Sequence, residues 1–123
     1  MNTVLWILQA LLGLAFLATG AMKLSRPKEK LEATMAWVTD VSASTVRFIG
    51  TVEVLGALGL ILPAATGVAT VLTPLAAVGL GVVMVGAIVT HARRAEAQSI
   101  VVNVVLLAIA VVIAWGRFGP YSL

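Results

Sequence analysis

The sequence predicts an all-α polytopic membrane protein, a single bundle of four transmembrane helices with a short interfacial segment between the first two. Three observations carry this. The chain has 123 residues, of which 61% are hydrophobic, and its mean hydropathy is +1.11; a soluble domain of this size has too little interior to hide so much apolar surface. The apolar residues gather into four runs, each close to the roughly 20 residues that cross a hydrocarbon core. Basic side chains are segregated: along an up-down path Lys23, Arg26, Lys28, Lys30, Arg47, Arg93 and Arg94 fall at one end and only Arg117 at the other. That bias predicts the crowded end in the cytoplasm and both termini outside.

The first span is expected over residues 4–22. Its positive charges follow the apolar run rather than precede it, so it reads as a retained helix and not a cleaved leader. The connection 23–45 is the only long one. Ser25 is placed to cap a short helix with Pro27 in its first turn. Leu31, Met35 and Val38 then share a face, with Trp37 near the interface, as in an amphipathic segment that lies on the bilayer or folds over the bundle. The second span is expected over 46–65, followed by a tight uncharged turn around Pro63–Gly67. The third, 68–90, contains Pro74, which either kinks it or marks its true start. The fourth is expected over 97–116. The many glycines and alanines permit close helix packing. Trp6, Trp115 and Tyr121 form an aromatic belt at the outer interface, and Gln9, alone in the outer half, reads as a staple between helices.

Glu53 stands out, because a carboxylate within a membrane span is costly and is normally turned inward, paired or functional. At about 1.5 Å of rise per residue it sits roughly 10 Å inside its helix. Lys23, Arg47, His91 and Asn103 fall at similar depth on the other helix ends, so all five are candidate ligand-binding residues around one pocket in the cytoplasmic half. Gly13, Phe16, Gly20 and Lys23 share a face. So do Gly50, Glu53, Gly56 and Ala57, then Met84, Ala87 and His91, and lastly Asn103, Leu107 and Ala110. Each helix thus presents a polar group above an apolar stripe, which outlines a lipophilic cavity with a polar end. Glu53 and His91 are the candidate acid–base groups. Blander roles remain open: Glu53 as a neutraliser of Arg47 or Lys23, His91 as an interfacial residue, Asn103 as a staple, Lys23, Arg93 and Arg94 as topology anchors.

The inventory excludes several classes. With no cysteine there is no thiol nucleophile, thiolate metal site or iron–sulfur cluster in this chain. One histidine cannot ligate a haem from both sides within a protomer, which leaves only His–Met ligation or a subunit interface, and His91 with Glu53 supplies at most two of the three or four ligands that zinc needs, so no metal or haem is expected. No extramembrane module exists to bind nucleic acid, and the helices are too apolar for an ion channel.

With these residues placed, the chain resembles the DoxX-like family of small four-helix bacterial membrane proteins over nearly its whole length. The resemblance rests on Gly20-x-x-Lys23-Leu24, on Arg47-x-x-Gly50-x-x-Glu53-x-x-Gly56 with Gly59-Leu60-x-Leu62-Pro63, on Thr73-Pro74-Leu75-Ala76-Ala77, and on His91 and Asn103. The family takes its name from a relative of the small membrane subunits of an archaeal thiosulfate:quinone oxidoreductase, and other members are linked to quinone or oxidative stress. The resemblance therefore implies a bacterial inner-membrane protein that binds a quinone or similar lipophile beside a redox partner protein or a second copy of itself. The missing cysteine and missing extramembrane domain argue against direct sulfur chemistry. Two other functions stay open: a self-contained enzyme, such as an isomerase of a lipophilic substrate with Glu53 as acid or base, and a non-catalytic membrane scaffold.

Overall fold

Prolines, glycines and one serine set the helix ends. In the computed structural model, which describes residues 1–33 and 35–123, helix α1 (Asn2–Ser25) stops where Arg26 turns extended ahead of Pro27. Helix α2 is a single short turn, Lys28–Glu32, followed by a 3₁₀ turn at Ala36–Asp40. Helix α3 (Ala43–Thr66) starts with the Ser42 hydroxyl accepting from the Thr45 N–H and ends at Gly67, whose φ of 73° is left-handed. Helices α4 (Leu72–Arg93) and α5 (Ala97–Phe118) complete the chain. Four of these helices are long and apolar enough to span a membrane, and large apolar side chains such as Phe48, Leu14 and Val82 face outward. This is an integral, multi-pass membrane protein: the outer surface is matched to lipid, not to water.

Three local expectations need correction. Ser25 caps nothing; it is the last residue of α1, and its hydroxyl donates back to the Ala21 carbonyl at 2.7 Å. The turn after the second span begins at Gly67, and α3 runs straight through Pro63. Pro63 lacks the N–H that would bond the Gly59 carbonyl, and the buried Thr73 hydroxyl of α4 donates to that carbonyl instead, at 3.0 Å. The third span begins at Leu72 rather than residue 68, so Pro74 falls in the first turn of α4, where a missing N–H costs little.

The four long helices form an antiparallel ring. The tightest contacts join α1 to α3 and α4 to α5; α3 and α4 are less closely packed, and α1 and α5 least of all. Glycine makes the α1–α3 contact possible. A Cβ on Gly20 would stand 2.8 Å from the Gly50 carbonyl, and one on Gly50 would stand 2.8 Å from Cβ of Lys23. The central core is Leu12, Phe16, Leu60, Leu80, Met84 and Ile113 with small residues between them. The segment between α1 and α3 folds over the bundle: Leu31 and Val38 are buried with Val46 of α3, and Met22 of α1, Met35 and Trp37 pack around them.

Candidate functional site

The glycine crossing of α1 and α3 brings two buried charges, Lys23 and Glu53, together. Lys23 follows Gly20 and Glu53 follows Gly50, each three residues on and on the same face. The Lys23 ammonium pairs directly with Oε1 of Glu53, both nearly inaccessible. Oε2 of Glu53 accepts from the Thr19 hydroxyl at 3.2 Å, and Nζ of Lys23 lies 5.6 Å from the Trp37 ring centroid. Both carboxylate oxygens are therefore satisfied, which offsets much of the cost of a charge in a low-dielectric setting.

A second polar group closes on the same space from the other helix pair. Nδ1 of His91 lies 2.9 Å from Oε1 of Glu96. Arg94 reaches the same Glu96 oxygen at 3.3 Å and forms an ion pair with Asp40. Residue Ala95, with φ of 56°, makes the sharp turn that swings Glu96 back toward His91. Asn103 is buried and donates to the Ser99 carbonyl at 2.9 Å.

These groups line one cavity of about 730 Å³, bounded by α1, the 3₁₀ turn, α3, α4 and α5. Lys23, Glu53, His91, Glu96 and Asn103 supply its polar part, and Phe16, Ile49, Met84 and Leu106 its apolar part. Of the five residues singled out from the sequence, four face this cavity. Arg47 does not: it is exposed and absent from the lining. Glu53 is six positions further on, which at 100° per residue places the two on different sides of α3. Thr19, Trp37 and Glu96 are among the lining residues whose part the sequence reading missed. Thr19 carries a signal in retrospect, since it lies one turn before Lys23 on the same face.

A separate polar cluster lies at the opposite end of the bundle. Gln9 is fully buried and donates to the Leu60 carbonyl at 2.7 Å. Nε of Arg117, itself only 3% exposed, donates to Oε1 of Gln9 at 2.7 Å. The guanidinium also reaches Asn2 and the Tyr121 carbonyl, and it lies 5.9 Å from the Trp6 ring centroid. Gln9 is a staple as expected, but not alone: Arg117 turns inward and clasps α5 to α1. Among the described residues no three His, Asp or Glu side chains gather as a metal site would require.

A sequence model of the DoxX-like family matches residues 7–113, from the first span to near the end of the fourth. The chain belongs to the DoxX-like family. No curated protein and no solved structure matches it. The matched region of this DoxX-like protein contains all four cavity-facing candidates as well as Gly20 and Gly50, which set the spacing of Lys23 and Glu53. Arg117 and its contacts with Asn2 and Tyr121 fall outside it.

Proposed function

We propose that this DoxX-like protein is the quinone- or lipophile-binding subunit of a membrane redox system. It would sit in the bacterial inner membrane with both termini outside and a partner protein supplying the redox centre. The observation that carries the reading is the cavity. Its volume of about 730 Å³ falls in the range of small-molecule sites, and a few convergent polar groups stand over an apolar body. A quinone ring would bring carbonyl acceptors to that polar end and, when bound, would carry electrons and protons.

Lys23 has ammonium protons left after its pairing with Glu53, and these suit a headgroup carbonyl. His91 and Asn103 can add a hydrogen bond each from the other helix pair. Glu53 then acts mainly on Lys23, holding it in place and neutralising it so that an uncharged headgroup is accommodated. The same engagement weighs against Glu53 as a free acid or base, since both of its oxygens are in use.

The test is binding of decylubiquinone to the purified protein in nanodiscs, together with mass spectrometry of lipophiles that co-purify. Glu53→Gln keeps the shape and most hydrogen bonds, so binding should persist. Glu53→Leu leaves the Lys23 ammonium without its partner, and the loss of about 1–3 kcal/mol expected for a disrupted buried polar pair corresponds to roughly fivefold to 150-fold in Kd. If Glu53→Leu folds and binds as tightly as the parent, Glu53 is structural and the site is misassigned.

A further inference from the structure

The helices that wall the cavity do not diverge at random. Leu5 on α1 and Gly116 on α5 are in close contact: a Cβ on Gly116 would stand 2.6 Å from the Leu5 side chain. Fourteen residues along α1 from Leu5 is Thr19, and fourteen back along α5 from Gly116 is Val102. Fourteen residues is close to four turns, so Thr19 lies on the face of Leu5 and Val102 on the face of Gly116. Because the helices are antiparallel, Thr19 and Val102 stand opposite each other, about 21 Å further toward the basic end. There the two faces do not close. Thr19 and Val102 both line the cavity, as do Ala15 and Leu106 one turn nearer the clasp.

The seam between α1 and α5 is thus a wedge, shut by Leu5–Gly116 and Gln9–Arg117 and open where the cavity lies. Val102 is 53% exposed while also lining the cavity, so the wall at that point borders the surface that faces lipid. Over the basic end the cavity is roofed by Ala36 and Trp37 of the 3₁₀ turn, which Asp40 fastens to Arg94 beyond α4. The α3–α4 seam shows a weaker form of the same divergence. It is pinned by Gly59–Ala76 and Thr73–Gly59, and Ile49 and Gly86 line the cavity further on.

We propose that the α1–α5 seam is a lateral portal through which a bilayer-dissolved lipophile reaches the Lys23–Glu53 pair without passing through water. This rests on the binding reading given above. The portal is placed here rather than at α3–α4 because α1 and α5 have the least contact of the four neighbouring helix pairs.

The absence of cysteine makes the test direct. Ala15→Cys with Leu106→Cys places thiols across the α1–α5 seam, and Ile49→Cys with Gly86→Cys across α3–α4. Each pair is bridged with a short bismaleimide that contains a reducible disulfide, in nanodiscs with and without decylubiquinone. Bridging α1–α5 in the ligand-free protein should abolish uptake, bridging it after loading should trap the quinone, and reduction should restore exchange in both. Because Ile49 and Gly86 also line the cavity, each bridged protein is compared with the same cysteine pair before bridging, and on that scale closing the α3–α4 bridge should not change the exchange rate. Val102→Phe, which adds bulk where the cavity wall borders the outer surface, should slow exchange without a cross-link. Exchange unaffected by the α1–α5 bridge, or blocked only by the α3–α4 bridge, overturns the portal and leaves the binding reading standing. Failure of the unbridged and parent proteins to take up decylubiquinone overturns both.

Discussion

Gly20→Ala tests whether the α1–α3 glycine crossing is what creates the buried ion pair. The added methyl would lie 2.8 Å from the Gly50 carbonyl and 2.8 Å from a Val54 methyl, against a comfortable separation of about 3.5–4.0 Å. Neither neighbour is the far end of a flexible side chain, so the helices must separate by up to about 1 Å at the crossing. Overpacking of this kind costs about 1–3 kcal/mol. Moving Gly20 and Gly50 apart also moves Lys23 and Glu53 apart, so part of the pairing is lost as well. Gly79→Ala is the matched control, because a Cβ there meets nothing within 4 Å, and it should be neutral or slightly stabilising through helix propensity. The assay is thermal unfolding in detergent followed by size-exclusion fluorescence, with decylubiquinone binding as a second readout. Gly20→Ala should lower the apparent Tm by several degrees and weaken binding. Equal Tm values for Gly20→Ala and Gly79→Ala would refute the reasoning, because the crossing would then have slack that the geometry denies.

Two further outcomes are expected. Gln9→Leu removes the acceptor of the Arg117 Nε–H and the link to the Leu60 carbonyl, and with interhelical hydrogen bonds in membranes contributing about 0.6 kcal/mol each on average it should destabilise the fold by about 1 kcal/mol, read by the same unfolding assay. Single cysteines introduced at Ala65 and Lys28 should report orientation: in intact cells a membrane-impermeant maleimide should label position 65 and not 28, and the reverse pattern would invert the topology.

The four spans were legible because apolar length alone identifies a membrane helix. Their ends were less so, since a run of hydropathy does not reveal whether a proline can be accommodated. At Pro63 it is Thr73, on a different helix, that satisfies the freed carbonyl. That Glu53 would turn inward toward a cation was legible from small residues and charges sharing a helix face, a purely local property; that the cation is Lys23 and not Arg47 comes from the packing of α1 on α3. Arg47 was misjudged because depth was weighed without direction around the helix. Arg117 was read as a flanking charge since a basic residue at a helix end ordinarily faces water. Only the packing of α1 beside α5 shows that it turns inward to Gln9. The roof formed by Trp37 and the Asp40–Arg94 latch are long-range contacts of irregular segments, which no periodicity encodes.

The two polar ties differ in when they can first form. Lys23 and Glu53 belong to the first and second spans, 30 residues apart in the chain, so they can meet as soon as those two helices leave the translocon as a hairpin. A carboxylate inserted alone near mid-helix carries a penalty of roughly 3 kcal/mol, and here its partner is already in the membrane when it arrives. Gln9 and Arg117 are 108 residues apart, in the first span and the fourth, and their bond waits until the fourth span has been made. The two separations thus set an order in which the ties can form: the pair that relieves the Glu53 charge is available with the first two spans, and the clasp that closes the ring only with the fourth.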